Sequence, residues 1–219
     1  MTQYGFKNVL LADRVYQKLE NDIVFGKYAQ GQVLTELGLA EELGVSRTPI
    51  REALKRLAQE RLITDGTTGR GCVVLGITEK DVMDIMNIRC RLESLASRYA
   101  AENATAEDLK RLKHIVELQD FYTEKGDAAH VKEMDDQFHV EICRIGGSQI
   151  LTDTLIPLHM RIQKYRRASI DQPKRREQVS REHREIYEAI AAGDAALAEK
   201  LTENHVNHAA ARITGGENE

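Results

Sequence analysis

The hydrophobic positions of this chain recur mainly with the spacing of amphipathic helices. In residues 11–25, apolar side chains stand one helical turn apart, which predicts a helix with one buried face. Beyond position 78 the same spacing continues almost to the end, broken by short glycine-containing stops. This pattern predicts a mostly α protein whose second part is an all-α antiparallel bundle of about six helices. They are expected near residues 78–103, 105–125, 128–145, 148–169, 173–192 and 194–213.

Residues 39–54 have the features of a helix-turn-helix, a motif that places its second helix in the major groove of DNA. Gly44 stands where the chain must turn, and the small Ala40 stands where the two helices would cross. Ser46 suits the N-cap of the second helix, and Pro49 is tolerated in its first turn because N–H groups there lack intrahelical partners. The helices would touch through Leu39, Leu43, Val45, Ile50 and Leu54.

Polar side chains gather on the outward face of that second helix. Ser46, Arg47, Thr48 and Arg51 lie near its N-terminal end, where they can reach phosphates or base edges. Residues 46–61 carry five basic side chains against two acidic ones, although the whole chain has a net charge of −4. The positive charge is therefore concentrated on one helix, as in a compact DNA-binding surface.

A turn-rich segment interrupts the helical pattern after this motif. Residues 64–71 are dense in glycine and threonine, and the apolar run 72–75 is β-prone, so we expect a hairpin and hence a winged helix-turn-helix. Its tip, with Gly69, Arg70 and Gly71, suits a minor groove or a phosphate; the alternative is a solvated loop. We expect a DNA-binding domain over residues 1–76 and a helical domain over 77–219.

Length and composition restrict the class of protein. The chain has 219 residues, enough for two domains with separate cores, and 42% hydrophobic and 30% charged residues are ordinary for a helix-rich protein. Its apolar runs are too short to cross a bilayer, and its start lacks a signal-peptide pattern. Cys72, Cys90 and Cys143 lack the spacing of a metal site or a disulfide framework. We therefore expect a cytoplasmic protein without a membrane segment.

Several histidines interrupt the apolar faces of predicted bundle helices. His139 lies one turn after Asp135 on an inward face, His183 stands on the inward face of the fifth bundle helix, and His205 and His208 stand on that of the sixth. One such histidine is usually an ordinary buried residue, but a buried carboxylate is unfavourable unless it is paired or bound to a metal. An aspartate with three histidines favours a divalent ion, zinc first, with nickel or manganese as alternatives.

Arg89 shares an apolar face of the first bundle helix and therefore points inward. A buried guanidinium is suited to a carboxylate ligand, and the alternative is an ion pair with Glu93, one turn away. His114, His130 and His159 lack partners at ligand spacing, so we interpret them as ordinary residues.

The chain resembles one known family along nearly its whole length. Residues 11–75 are similar to the DNA-binding domain of the GntR family of bacterial transcriptional regulators, and the run from Gly44 to Leu54 matches its most recognisable segment. Residues 78–213 resemble the ligand-binding domain called FCD, found in the FadR-like subgroup. The matching motifs are Arg89-x-x-Leu92-Glu93, Asp135-x-x-Phe138-His139, Glu182-His183-Arg184-x-Ile186 and His205.

The resemblance implies an all-α second domain that dimerises and binds a metal through an aspartate and three histidines. The matching positions are Asp135, His139, His183 and His205, so that His205 is preferred to His208. The DNA contacts of the family map onto Arg47, Thr48 and Arg51 with the wing at 69–71. FadR has an arginine at the start of the first helix of the motif, where this chain has Leu37 or Gly38, so the family's operator cannot be transferred.

The sequence thus predicts a homodimeric, non-enzymatic transcriptional regulator, by family habit a repressor, that binds a palindromic double-stranded DNA operator. A small organic acid bound at the metal and Arg89 would change its affinity for the operator. Two alternatives stay open. An Asp/His₃ metal with an open coordination position could activate water in an enzyme, and the metal could be purely structural.

Overall fold

The structure, a computed structural model, describes residues 3–65 and 71–213, with side chains from residue 11 onward. The described residues form ten α-helices and two short strands. They divide into two compact units, with the boundary between Thr78 and Glu79. None of the described helices has both the length and the hydropathy that a membrane crossing requires. The predicted mostly α fold, a helix-turn-helix followed by a helical bundle, is confirmed.

Three helices and a short sheet make up the first unit. They are α1 (Gln3–Val24), β1 (Val33–Leu34), α2 (Glu36–Leu43), α3 (Arg47–Gln59) and β2 (Cys72–Val73). Fully buried side chains such as Leu19 and Leu57 pack α1 against α3. The short α2 begins after Thr35, whose hydroxyl accepts a hydrogen bond from Gly38 N. It ends at Gly44, which adopts the left-handed conformation (φ 64°) that glycine provides without strain.

The second strand has two partners, one that the sequence predicts and one that it does not. β1 and β2 are antiparallel, with Leu34 opposite Cys72. The expected hairpin arm is also present: Ile63 forms a bridge with Val74, and backbone hydrogen bonds run from Thr64 N to Val73 O and from Leu75 N to Leu62 O. The sequence does not reveal β1 because two residues are too few to show an alternating pattern. The ladder forms because Gly31 N donates to Val74 O and Val74 N donates to Gln32 O, which fixes this segment beside β2.

In the described part of the second unit there are seven helices. They are α4 (Glu79–Asn103), α5 (Ala106–Glu124), α6 (Ala128–Gly146), α7 (Gln149–Arg161), α8 (Gln163–Ile170), α9 (Pro173–Ala191) and α10 (Ala195–Ile213). The single helix expected over 148–169 is therefore two helices, which meet at Ile162 (φ −102°, ψ 8°). No glycine or proline stands at Ile162 itself, although Pro157 lies inside α7 shortly before it. Ile162 is completely buried there, and the backbone hydrogen bond from Arg166 N to Ile162 O continues the helical pattern across the break.

Small side chains bring the helices of the second unit close together. Ala96 on α4 is buried, and on the same helix Ser97 Oγ accepts a hydrogen bond of 2.7 Å from Thr202 Oγ1 on α10. A Cβ at Gly146, the last residue of α6, would lie 3.0 Å from the carbonyl oxygen of Ala96, so a larger residue would push α6 away from α4. This close packing fixes the inward-facing side chains of α4, α6 and α10 relative to one another.

Candidate metal centre and nucleic-acid interface

The exposed face of α3 presents the residues that the sequence predicts for DNA contact. Ser46 is the N-cap of α3 by its backbone (φ −69°, ψ 163°), but its side chain makes no capping hydrogen bond. The side chains of Ser46, Arg47, Thr48 and Arg51 are exposed, whereas Ile50 is completely buried beneath them. The helix therefore turns its apolar side to the core and its polar N-terminal side to solvent.

Both arginines on this face form hydrogen bonds with one acidic side chain, Glu36, which the sequence pattern did not indicate. Arg51 Nε and Nη2 each donate a hydrogen bond of 2.8 Å to Glu36, using its two carboxylate oxygens. Arg47 Nη2 donates to Glu36 Oε2 at 2.9 Å. The hydrogen bonds from Arg51, followed by those from Arg47, lower the pKa of Glu36 to about 2, so this carboxylate is ionised at any working pH. We call these three residues the surface ion cluster.

Only one residue of the expected wing tip can be placed. Gly71 has φ 93°, and a Cβ there would lie 2.6 Å from the carbonyl oxygen of Leu34, so the close approach of β1 requires glycine. Gly69 and Arg70 lie outside the described residues. The contact of Gly71 with β1 gives it a structural role; its DNA contact stays a prediction.

Three buried histidines from three helices converge in the second unit. His139 of α6, His183 of α9 and His205 of α10 each offer a ligand atom, and these atoms lie within 4.8 Å of one another. The Nε2 atoms of His139 and His183 are buried and have no hydrogen-bond partner among the described residues. Buried polar atoms are nearly always paired, so two orphaned nitrogens at one point fit a metal ligand set.

Asp135, the fourth predicted ligand, lies beside these histidines. Its Oδ1 is 3.8 Å from His139 Nε2 and 3.6 Å from His183 Nε2, while Oδ2 accepts a hydrogen bond of 2.5 Å from Arg166 Nη2. Burial alone would raise the pKa of Asp135, but the charge of Arg166 together with the smaller contributions of His139, His205 and Arg89 lowers it. The result is an ionised carboxylate with one oxygen directed toward the histidines.

The other ring nitrogen of each histidine has a polar neighbour that fixes the ring. His183 Nδ1 lies 2.8 Å from Gln119 Oε1, and His205 Nδ1 lies 2.7 Å from Glu182 Oε2. His139 Nδ1 lies 2.9 Å from Glu93 Oε2. Because the oxygens of Gln119 and Glu182 can only accept, His183 and His205 carry the proton on Nδ1 and keep the lone pair on Nε2. Such outer partners are typical of metal-ligating histidines.

The protonation state of the cluster also fits metal binding. Burial, followed by the charge of Arg166, lowers the pKa of His139 well below its ordinary value. Burial and the neighbouring His205 lower the pKa of His183 in the same way. Both rings are therefore neutral at pH 7, which is the form that binds a metal. We call Asp135 and the three converging histidines the buried histidine cluster.

A second group that could hold an ion shares one of these rings. Glu93, His139 and His159 also offer ligand atoms within 4.8 Å of one another. His159 is thus buried at the site and has partners there, contrary to its interpretation as an ordinary residue; it lies on α7 one turn after the buried Leu155. Its Nδ1 lies 2.9 Å from Arg166 Nη1, which can only donate, so the proton of His159 is on Nε2.

This second group suits a metal less well than the buried histidine cluster. The proton on His159 Nε2 blocks the atom that would be its ligand, 3.2 Å from Glu93 Oε1. The carboxylate of Glu93 is also already paired with the buried Arg89, whereas Arg166 contacts both groups and does not distinguish them. The electrostatics therefore favour the cluster that contains Asp135.

Arg89 is buried at the same site and makes the ion pair that the sequence left as an alternative. Its Nε donates to Glu93 Oε1 at 2.5 Å, and both side chains are at most 4% exposed. Arg89 also lines a small pocket together with Asp135, Arg166, Arg175 and His205. Three guanidinium side chains thus surround a pocket whose wall includes two members of the buried histidine cluster.

Comparison with known proteins identifies the family. Residues 84–208 match the FCD domain, and residues 11–74 match the bacterial regulatory proteins of the gntR family. The chain belongs to the GntR family of bacterial transcriptional regulators. It is a DNA-binding regulator with an FCD domain, consistent with the FadR-like subgroup.

Characterised relatives support this assignment. The HTH-type transcriptional repressor RspR of Escherichia coli (strain K12) is 29% identical over 193 residues, which cover 88% of this chain and 84% of that protein. The gluconate operon transcriptional repressor of Bacillus subtilis (strain 168) is 35% identical over 131 residues, which cover 60% and 53%. The solved structure of E. coli McbR/YncC has a TM-score of 0.76 at 24% identity, covers 93% of this chain and 96% of its own, and shows the same fold. These relatives are regulators, which removes the enzymatic alternative.

Proposed function

We propose that the chain is a homodimeric repressor whose operator binding is controlled by a small organic acid held at a divalent metal ion. The observation that carries this proposal is the convergence of His139 and His183, whose buried Nε2 atoms lack protein partners in the described ranges, beside the ionised Asp135. Without a bound ion, these two nitrogens would be buried polar atoms without hydrogen bonds, which destabilises the folded state.

The donor set favours zinc, with nickel or manganese as alternatives. Neutral imidazoles suit zinc, copper, iron and nickel, and one carboxylate adds the anionic ligand that a divalent ion prefers. His139, His183 and His205 with Asp135 would hold the ion. It would supply a positive charge to which an acid can bind.

The guanidiniums around the pocket support an acidic effector. Arg89, Arg166 and Arg175 line it, and each is already paired with a carboxylate, so a metal ion would add positive charge that the protein itself does not balance. A carboxylate ligand would balance that charge and can accept hydrogen bonds from a guanidinium fork. One relative is named for a gluconate operon, which makes hydroxy acids a reasonable class to test.

The proposed mode of DNA binding rests on the exposed face of α3. In a homodimer, two copies of this helix would enter successive major grooves of a palindromic operator, about one helical turn apart. Repression is proposed because both named relatives are repressors. Effector binding would shift the population of dimer arrangements that fit the operator.

A ligand screen tests the proposal directly. The full chain, stripped with chelator and then reloaded with zinc, is melted with a panel of mono-, di- and hydroxycarboxylates that includes gluconate. We expect at least one acid to raise the midpoint of thermal unfolding only when zinc is present, because a ligand of the folded state stabilises it by mass action. The same acid should change the affinity for duplex DNA.

Two outcomes would contradict this assignment. If chelation lowers the unfolding midpoint but no acid changes DNA binding, the metal is purely structural. If an acid binds equally well with and without zinc, the ion is not its anchor.

A further inference from the structure

The two arginines that α3 offers to DNA already share a carboxylate, that of Glu36 at the start of α2. The side chain of Glu36 is 27% exposed, whereas those of Arg47 and Arg51 are 60% and 52% exposed. All three therefore lie at the surface, where a DNA backbone or a base edge can reach them. This observation is independent of the metal and the effector.

The hydrogen-bond pattern of Arg51 leaves a defined edge of its guanidinium available. Glu36 occupies the edge formed by Nε and Nη2. The planar group carries five N–H donors, so the edge formed by Nη1 and Nη2 still presents two parallel donors. Two parallel donors are what a guanine requires, because its O6 and N7 accept them side by side in the major groove.

The charge of Glu36 has a second effect on the same surface. DNA affinity without sequence preference comes mainly from basic side chains that bind phosphates. A carboxylate between two arginines opposes the approach of a phosphate to either one, since like charges repel at short distance. A neutral base edge meets much less of this repulsion.

We propose that Glu36 is a specificity-determining residue of the DNA-binding surface. It orients Arg51 so that the free edge of the guanidinium pairs with a guanine in each half-site, and it weakens the binding of Arg47 and Arg51 to phosphates. Glu36 thus acts through the arginines, as a positioning residue. A purely structural role, in which Glu36 only ties α2 to α3, would change stability without changing sequence preference.

The test compares Glu36→Gln with the wild-type chain on two DNA probes. The first is the duplex that the wild-type chain selects from a random-sequence library, and the second is a scrambled duplex of the same composition. The matched control is Glu41→Gln, which removes the same charge from an exposed position on α2. Thermal unfolding of each variant shows whether it is folded.

We expect Glu36→Gln to bind the scrambled duplex more tightly and to lose about tenfold in the ratio of the two affinities, the discrimination of one bidentate base contact. Glu36→Asp keeps the charge but shortens the side chain, so it should lose guanine preference while scrambled affinity stays low. Glu41→Gln should keep the wild-type ratio. Because Glu36→Asp retains the charge, this variant still tests the positioning role if Glu36→Gln is unstable.

A double-variant comparison separates positioning from a direct contact. In the Arg51→Ala background, Glu36→Gln should produce little further change in the ratio, because the residue through which Glu36 acts is gone. The proposal is overturned if Glu36→Gln and Glu36→Asp keep the wild-type ratio, if Glu41→Gln lowers it equally, or if the full loss persists without Arg51. None of these results depends on the metal, so they leave the proposed effector control untouched.

Discussion

The two units of this protein each contain a group of paired charges, and the two groups differ mainly in their exposure. In the surface ion cluster, the side chains of Arg47 and Arg51 are more than half exposed. Around the buried histidine cluster, Arg89 and Glu93 are 2% and 4% exposed. Exposed partners can be exchanged for a DNA phosphate or base at little cost. Buried partners must stay paired, unless an ion or a ligand replaces the lost charge.

The difference in exposure suits the two groups of charges to different tasks in a regulator. The surface ion cluster is suited to the output of a regulator because its hydrogen bonds can be replaced when DNA arrives. The buried cluster is suited to a sensor because any change in its charge affects several helices at once: Arg166 alone contacts Asp135 and His159. Because these buried charges are already paired, a bound metal ion or anion would change the charge balance of the whole cluster.

The largest expected effect comes from breaking one buried pair and one exposed pair of the same geometry. Glu93→Gln removes the carboxylate that faces Arg89, and Glu102→Gln removes the one that faces Arg98, also four residues away on α4. We expect Glu93→Gln to lower the free energy of unfolding by about 3–5 kcal/mol, because it leaves a buried guanidinium unpaired. Glu102→Gln should leave the unfolding midpoint unchanged within error.

Urea unfolding of both variants in the presence of chelator measures this comparison without a contribution from bound metal. Equal losses in the two variants would show that burial does not distinguish these pairs.

A smaller effect is expected from pH, which should act differently on the two units. All seven histidines of the chain lie beyond position 113, so the first unit has no histidine, the side chain that ordinarily titrates near neutrality. The pKa of Glu36 is lowered to about 2, so its ion pairs are fully present above its ordinary pKa and are lost only as the pH falls toward that value.

The preference for the selected duplex over the scrambled one should therefore change less than about twofold between pH 5.5 and 8. Fluorescence anisotropy with both duplexes, at constant ionic strength, checks this expectation. A steep change within this range would mean that a group outside the surface ion cluster controls sequence preference.

Periodicity alone predicted much of the candidate site. The apolar stripes of the bundle helices place Asp135, His139, His183 and Arg89 on inward faces, and the structure buries all four. Helical spacing carries this information because neighbours on one face are three or four residues apart. The choice of His205 over His208 needed the family resemblance; the structure buries the first and exposes the second.

What the sequence did not reveal depends on contacts between distant elements. Glu36 pairs with arginines 11 and 15 residues away only because α2 crosses the start of α3. Gln119 contacts a histidine 64 residues away, and Glu182 contacts one 23 residues away. The place of His159 at the site depends on its contact with Arg166 of the next helix. Glu182 appeared only in a family motif, whereas Glu93 was also the alternative partner of Arg89 by helical spacing.

The central claim is that the buried histidine cluster holds a divalent ion, and metal analysis tests it most directly. The chain is purified without chelator, and its zinc content is compared with that of a His183→Ala/His205→Ala double variant. The matched control is His114→Ala/His130→Ala, which removes two exposed histidines from the same unit. We predict about one ion per chain for the wild type and the control, and none for the cluster variant. A cluster variant that keeps its full metal content, or a wild-type chain that takes up none from excess zinc, would contradict the account.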